Sequence, residues 1–310
     1  MEAIINSGEA EVVAIADPMR EMALQAARIA PHADLVPSLF ELLDAGLDGI
    51  AIATPTASHA DQCMAAIDKG LSVFCQEPLG RSAAETQAII GAARGANCLM
   101  LADSSYRYPE GMRFIRGLIQ GGELGSIYSV DLVFHTAHGP DKPWYYDPAQ
   151  SGGGCVMDLG SHLIDLALWT LDFPQVTNVT SRLFTGGLLL GPQPKSAEDY
   201  AVAQLDLEGG VVVRLTCSWK LDIGQDALIE ASFYGTKGGA IIRNANGSFA
   251  DFTAERISGI ERETLSAPPD EWGGRAAVEW ARRLGQGERY DPQIEHVASV
   301  AATIDAIYGR

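Results

Sequence analysis

Four polar residues recur along one strongly apolar stretch of the chain, and their types suit acid/base chemistry. Asp158, His162, Asp165 and Trp169 follow one another at spacings of four, three and four. If the stretch Cys155–Leu171 is a helix, these spacings place the four side chains along one face. Asp158, one turn before His162, would then fix the tautomer of the imidazole and raise its basicity. Such a pair is a general acid/base that works near neutral pH.

The same residues have two other interpretations. Asp158 can serve the helix N-terminus, where a carboxylate is favoured, with His162 as an ordinary buried histidine. The residues alone do not separate this interpretation from the catalytic one. A metal ion held by Asp158 and His162 is the third interpretation, but no further His or Cys stands at ligand spacing. We therefore predict no metal site.

The elements that must position this stretch fall into two parts, and the first is built from strands and helices in alternation. From Glu11 to Ala102, short β-branched runs alternate with helical stretches, which is typical of a parallel sheet. The predicted strands are Val12–Ala16, Gly49–Ala53, Leu71–Cys75 and Cys98–Ala102, and the predicted helices are Met19–Ala30, Ser58–Lys69 and Ser82–Arg94. We predict a Rossmann-type α/β domain over residues 1–104.

The second part has the pattern of an α+β domain with an open, mostly antiparallel sheet, over residues 105–310. A helix at Gly111–Gln120 precedes a period-two strand near Ile127–Thr136. The later predicted segments are the strands Ala201–Leu207, Val211–Trp219, Ala227–Tyr234 and Ala240–Arg243 and a terminal helix near Ile294–Tyr308. Turn residues separate these strands, which indicates consecutive antiparallel neighbours.

Charge and composition exclude several classes of partner. A formal net charge of -18 repels phosphate backbones, and the few Lys and Arg residues form no basic stripe, so we expect no nucleic-acid partner. No stretch approaches the roughly 20 apolar residues that a membrane span needs. The five cysteines lie far apart, without the CxxC spacing of a zinc site. We expect a reduced, cytoplasmic protein.

Several short motifs occur in a fixed order that points to one family. They are Ala16-Asp17-Pro18, Ala53-Thr54-Pro55 with His59, Cys75-Gln76-Glu77-Pro78-Leu79, and Gly152-Gly153-Gly154 through Asp158-x-Gly160-x-His162-x-x-Asp165. Over essentially its whole length the chain resembles the Gfo/Idh/MocA oxidoreductases, which include glucose-fructose oxidoreductase and inositol dehydrogenase. The resemblance implies that NAD or NADP oxidises or reduces a sugar, polyol or related carbonyl compound. It also implies a sheet face that often mediates oligomerisation, so we expect a homo-oligomer.

The resemblance also implies roles for individual residues. Asp17 matches the acidic position that hydrogen-bonds the adenosine ribose, which favours NAD over NADP. The other residues on the implied cofactor side are Thr54, Pro55, His59, Gln76 and Pro78. His162 matches the catalytic histidine and Asp158 its acidic neighbour. The residues expected to border the sugar pocket are Arg107, Lys142, Trp144, Tyr145 and Asp165.

The chain departs from the family at its start. The family normally opens with a strand and a Gly-x-Gly-x-x-Gly turn that holds the cofactor pyrophosphate. Here Met1–Ile5 reads as the tail of the helix that should follow that turn, and Gly8 as its stop. A missing central strand leaves its two neighbours with unpaired backbone groups. We therefore expect an incomplete Rossmann-type sheet, weakened folding and weakened or absent dinucleotide binding.

The second departure is Glu77, which stands where the family has a lysine that hydrogen-bonds the reacting hydroxyl. A carboxylate beside a developing alkoxide replaces attraction with repulsion. Losing one electrostatic group of this kind costs about two to three orders of magnitude in rate. Pro78 biases residue 77 toward an extended conformation, so we expect the Glu77 side chain to face the cleft as a third catalytic residue.

Three accounts of the function follow. In the first, the sequence belongs to a longer NAD(P)-dependent oxidoreductase that acts on a sugar, polyol or related compound and carries an unusual residue 77. In the second, Glu77, Asp158 and His162 form a non-redox trio that catalyses isomerisation, elimination or hydrolysis of a sugar-like ligand. In the third, the chain is a cofactor-free sugar-binding subunit. The first account is our leading prediction.

Overall fold

The computed structural model describes residues 1–310 as a parallel α/β part followed by a large sheet. The strands are β1 (Ala14–Ile15), β2 (Asp34–Leu35), β3 (Gly49–Ile52), β4 (Ser72–Cys75), β5 (Met100–Ala102), β6 (Ile127–Thr136), β7 (Val176–Thr185), β8 (Leu188–Leu189), β9 (Tyr200–Leu207), β10 (Val212–Ser218), β11 (Ala227–Gly235), β12 (Gly238–Asn244), β13 (Phe252–Ser258) and β14 (Glu261–Ser266). The helices are α1 (Glu2–Ser7), α2 (Arg20–Ile29), α3 (Leu39–Leu43), α4 (His59–Asp68), α5 (Ala83–Gly95), α6 (Glu110–Gln120), α7 (Pro148–Ser151), α8 (Ser161–Thr170), α9 (Arg275–Gly285) and α10 (His296–Tyr308). None of the helices has the length and apolar character that a membrane crossing requires.

The first part confirms the predicted Rossmann-type parallel arrangement, divided into two small sheets. Strands β3, β4 and β5 pair in parallel in that order, and β1 pairs in parallel with β2. No hydrogen-bonded pairing joins β1 to β3. All four residues of β4 are buried, which explains the continuous apolar run that predicted this strand. The short elements β2 and α3 were not predicted, because two to five residues carry too little periodicity.

The large sheet has nine strands in the order β14-β13-β12-β11-β6-β10-β9-β7-β8. All its pairs are antiparallel except β6 with β10, so the prediction of an open, mostly antiparallel sheet is confirmed. The predicted adjacency of β10 and β11 is wrong, because β6 lies between them. Turn residues mark where a strand ends, but they do not select its partner. Strands β7, β8, β13 and β14 and helix α9 were missed.

The C-terminal helices return to the first part and fix it against the large sheet. Trp280 of α9 packs on Phe74 of β4, with ring centroids 5.9 Å apart. A Cβ added to Gly49 of β3 would lie 2.7 Å from Trp280 Cζ2, so this close approach requires glycine. Helix α10 packs against both α5 and α8. The end of β4 and the start of α8 are therefore held in one arrangement.

The predicted single helix Cys155–Leu171 is interrupted near its start. A π-helical turn at Val156–Gly160 precedes α8. The fully buried carboxylate of Glu198 accepts hydrogen bonds from the backbone N–H groups of Gly154 and Val156, at 3.0 and 2.9 Å. It also accepts one from the Tyr308 hydroxyl, at 2.8 Å. Glu198 thus satisfies the first backbone donors of this turn, a role for which the sequence analysis offered Asp158.

We predict that Trp280→Ala destabilises the whole protein. Trp280 is 4% exposed and shares a cluster with Ile4, Phe74 and Leu99, so its removal leaves a cavity between the two parts. Urea unfolding should show a loss of about 3–5 kcal/mol in the free energy of unfolding. Phe40→Ala is the control, since Phe40 is 71% exposed on α3 and should change stability by about 0.5 kcal/mol or less. Equal effects of the two variants would contradict this packing.

Candidate active site

The centre of the site is a contact between the two parts of the molecule. His162 lies in the first turn of α8, and Glu77 lies two residues after the end of β4. The distance from His162 Nε2 to Glu77 Oε1 is 2.8 Å. The side chains are 12% and 20% exposed. The expected partner of His162 was Asp158, and the structure corrects this. Asp158 Oδ2 instead accepts a hydrogen bond from Trp219 Nε1 at 2.8 Å.

The π-helical turn explains the change of partner. The spacing of four that predicted a shared face assumes α-helical geometry from Asp158 to His162, whereas Asp158 lies inside the π-helical turn. The turn rotates Asp158 relative to α8. Further along the same predicted helix face, the Asp165 carboxylate accepts two hydrogen bonds from Arg107, at 2.7 and 2.5 Å. Asp158, His162 and Asp165 thus contact three different partners, which are Trp219, Glu77 and Arg107.

Charge and burial act in opposite directions on His162. Its ring packs against Tyr106, with ring centroids 4.7 Å apart, and the Phe134 ring centroid lies at 6.4 Å. Burial lowers the pKa of His162, but the nearby carboxylates, Glu77 foremost, outweigh burial and raise this pKa above its ordinary value. An imidazolium next to a carboxylate is the state that this arrangement favours.

Two further carboxyl groups hold their protons more tightly than usual. Burial, together with the charge of Glu77, raises the pKa of Asp103 to about 6. Burial likewise raises the pKa of Asp158 to about 6, against the opposing hydrogen bond from Trp219. Asp103 directly follows β5 and was missed by the sequence analysis. The rule that side chains meet at the carboxyl ends of parallel strands, applied to this strand too, could have found it.

Two cavities meet at Glu77, Pro78 and Met157. The strand-end cavity is lined, besides these three, by Thr54, Thr56, His59, Gln76, Trp144, Tyr145, Ser151, Gly154 and Asp158. The helix cavity lies between α5, α8 and α10 and includes His162 and Asp165 in its wall. Glu77 therefore stands between the two cavities.

Most residues predicted for the cofactor lie at the strand-end cavity. Thr54 Oγ1 donates to Gln62 Oε1 at 2.7 Å, and Pro55 precedes the short helical turn that begins at Thr56. His59 is 1% exposed, and its two ring nitrogens lie 3.0 Å from the Pro78 carbonyl oxygen and 2.8 Å from that of Thr54. His59 thus holds two loops of the site together.

Gln76 and Pro78, which were also predicted for the cofactor, line the same cavity, whereas Asp17 stands apart from it. Asp17 follows β1 and accepts a hydrogen bond from the Met19 backbone N–H at 2.7 Å. It lines neither cavity.

The residues predicted for the sugar pocket divide into two groups. Trp144 and Tyr145 stack on each other, with centroids 3.8 Å apart, and line the strand-end cavity. Contrary to expectation, Arg107 lines neither cavity, because Asp165 holds it beside the rings of Trp169 and Phe173. Lys142 also differs from expectation, since it is exposed and contacts Asp141 at 3.2 Å. Sequence separation from the motif did not reveal which way these side chains point.

We predict that Asp103→Asn removes part of the pH dependence of stability. A carboxyl whose pKa rises to about 6 on folding binds its proton more tightly in the folded state, so stability falls as pH rises from about 4 to about 7. The free energy of unfolding of Asp103→Asn minus that of the wild type should therefore increase by about 1–3 kcal/mol as the pH rises across this range. Urea unfolding followed by tryptophan fluorescence at each pH measures it.

Asp103→Glu is the control, because it keeps a titrating group at the same place and should keep the dependence. A difference between Asp103→Asn and wild type that stays constant with pH would count against the buried, proton-holding state of Asp103.

Comparison with known proteins places this geometry in a family. Residues 1–104 match the model of an oxidoreductase family with an NAD-binding Rossmann fold, and residues 112–241 match that of the GFO/IDH/MocA C-terminal domain. D-glucoside 3-dehydrogenase of Escherichia coli (strain K12) is 24% identical over 70% of this chain, and the match covers 64% of that relative, less than two thirds of its length.

Two further comparisons cover more of both proteins. D-xylose 1-dehydrogenase (NADP(+)) 2 of Haloferax volcanii is 30% identical over 86% of this chain and 79% of its own length. Levoglucosan dehydrogenase, solved in complex with NADH and levoglucosan, superimposes with a TM-score of 0.80 over 96% of this chain and 87% of its own, at 20% identity, and so shares the fold. The chain belongs to the Gfo/Idh/MocA family of oxidoreductases.

Proposed function

We propose that this protein is an NAD(P)-dependent oxidoreductase of a sugar, polyol or related hydroxy or carbonyl compound, in which Glu77 and His162 handle the proton of the reacting group. The observation that carries the proposal is the 2.8 Å contact between His162 Nε2 and Glu77 Oε1 beside the strand-end cavity. The proposal keeps residues 1–104 as the cofactor domain and 105–310 as the substrate and oligomer domain.

Glu77 is the base of the pair. Its Oε1 contacts His162, whereas its Oε2 is buried and has no hydrogen-bond partner in the protein. A substrate hydroxyl in the strand-end cavity donates to the Glu77 carboxylate, and its proton passes to that carboxylate as the O–H bond breaks. The imidazolium of His162 balances the charge. In this way His162 supplies the positive charge that the family's lysine would bring.

The residues at the carboxyl ends of β3 and β4 fit the nicotinamide end of a dinucleotide. Thr54, Thr56 and Gln76 bring hydroxyl and amide groups to the strand-end cavity, where a carboxamide and a ribose would need donors and acceptors. When bound, the nicotinamide supplies the acceptor for the hydride of the substrate C–H bond. Asp17, after β1, is the residue that favours NAD over NADP.

The sugar side of the proposal is supported by the other wall of the cavity. Trp144 and Tyr145 offer flat aromatic surface, and Asp158 offers a carboxyl group in the same wall. A sugar needs both, since its C–H faces pack on rings and its hydroxyls need polar partners. The sugar substrates named for the D-glucoside and D-xylose dehydrogenases agree with this class.

A panel of sugars and polyols tests the proposal, with NADH or NADPH formation as the readout. We expect turnover of at least one panel member, and a fall of about 10²- to 10⁴-fold in kcat/KM for Glu77→Gln and for His162→Ala. Glu208→Gln, at an exposed turn before β10, is the matched control and should keep full activity. Turnover that survives in both site variants would rule out the assigned roles.

The weakened dinucleotide binding that the sequence analysis expects stays a prediction. Titration with NAD+ followed by tryptophan fluorescence measures this affinity directly.

A second candidate function is non-redox acid/base catalysis on the same class of ligand. It is favoured by the negative charge of the site. Glu77, Asp103 and Asp158 surround His162, and Arg107 does not offset their charge because it is paired with Asp165. Under this alternative, a panel sugar incubated in D₂O without cofactor exchanges a C–H hydrogen, which NMR detects. Glu77→Lys separates the two, because a lysine at this position hydrogen-bonds the reacting hydroxyl in the family. The variant should therefore retain hydride transfer in an oxidoreductase and abolish exchange in an acid/base enzyme.

We further propose a cytoplasmic homo-oligomer that associates through the outer face of the large sheet. Helices α6, α8 and α10 cover the other face, whereas the outer face exposes Val202 of β9 beside Arg182, Gln204 and Arg214. We expect light scattering after size exclusion to give an oligomer, and Val202→Glu to shift it toward the monomer. A monomeric wild type would end this part of the proposal.

A further inference from the structure

The helix cavity adjoins the strand-end cavity at Glu77, Pro78 and Met157, and no role has been assigned to it. Its walls are mostly apolar, and α10 contributes Val297, Val300, Ala301 and Ile304. Its polar lining includes Ser82, Thr86, Ser104 and Ser161 together with Glu77 and His162. The cavity reaches the loop of Arg81, whose side chain is 36% exposed.

Two buried polar atoms without a protein partner belong to residues that line this cavity. They are Glu77 Oε2 and Thr86 Oγ1, and Thr86 as a whole is 1% exposed. In all 310 residues only one other side-chain atom shares this condition, Trp280 Nε1 in α9. Buried polar groups are almost always hydrogen-bonded, so two such atoms in one cavity point to an occupant that bonds to both.

The Thr86 hydroxyl differs from those of other buried threonines in the helices. Thr170 and Thr303 donate to the carbonyl oxygen one turn earlier, Leu166 at 2.6 Å and Ser299 at 2.8 Å. Thr86 makes no such bond, although the Ser82 carbonyl stands in the equivalent place. Its hydroxyl therefore keeps both its donor and its acceptor capacity for the cavity.

Water fits this cavity in size and in chemistry. The cavity volume is about 40 Å³, which holds about three water molecules at 10–15 Å³ each. A buried water needs two to four polar partners, and Glu77, Thr86 and the serine hydroxyls supply them.

We propose that the helix cavity holds a short chain of water molecules that carries protons between Glu77 and solvent, with Thr86 as a relay in it. The role of this path rests on the proposed function, in which oxidation of an alcohol leaves the hydroxyl proton on Glu77. Glu77 then gives that proton to the first water, each water passes one on, and the Thr86 hydroxyl accepts one proton as it donates another. The proton reaches solvent near Arg81, and Glu77 returns to the carboxylate.

The test uses the full chain with ¹⁵N-labelled histidine and measures exchange of the His162 imidazole N–H with water by NMR. This readout needs no substrate. Thr86→Val removes the hydroxyl at almost constant shape, and we expect it to slow this exchange about tenfold. Thr86→Ser should restore the wild-type rate. Thr303→Val is the matched control, because it removes a buried threonine hydroxyl of α10 that does not line the cavity.

A wild-type exchange rate in Thr86→Val would overturn the path, as would a crystal structure with the cavity dry. We expect such a structure to show ordered water on both Glu77 Oε2 and Thr86 Oγ1. With a panel sugar that is turned over, Thr86→Val should lower kcat and leave KM unchanged. If exchange is slowed but no sugar is turned over, the proposed function fails while the water path stands.

Discussion

The site depends on the cost of burying charge without a partner. Glu77 is mostly buried after β4, and the only positive charge in contact with it is that of His162 on α8. A carboxylate and an imidazolium 2.8 Å apart satisfy each other, whereas either one alone would be expensive in this environment. Because the two residues come from different parts of the molecule, their contact requires that β4 and α8 keep one relative position.

That position is set by packing and by buried hydrogen bonds away from the site. Helix α9 places Trp280 against Phe74 of β4, and α10 lies between α5 and α8. Glu198 holds the backbone where the π-helical turn begins, and the Tyr308 hydroxyl of α10 donates to the same carboxylate. One buried carboxylate thus links the site helix to the C-terminal helix. The 2.8 Å contact of His162 with Glu77 needs such support, because a small displacement of either element would lengthen it.

Within the family, this chain redistributes the charges of the site. The resemblance gives residue 77 as a lysine, and here it is a glutamate whose charge raises the pKa of His162. The same charge contributes to the raised pKa of Asp103 and of Asp158. The positive charge beside residue 77 therefore comes from a histidine and not from a lysine. Because the site has an excess of carboxyl groups, we propose that it transfers protons and exchanges them with solvent.

By itself the sequence determined what depends on local pattern. Alternating apolar runs predicted the parallel strands, period-two alternation predicted β6 at Ile127–Thr136, and the motif order led to His162 and Glu77. Only the tertiary structure decided what depends on contacts between distant residues. These include β6 between β10 and β11, Arg107 bound to Asp165, and Glu77 as the partner of His162. The physical reason is that periodicity records which face of an element is buried, whereas the partner on that face is chosen by packing across the chain.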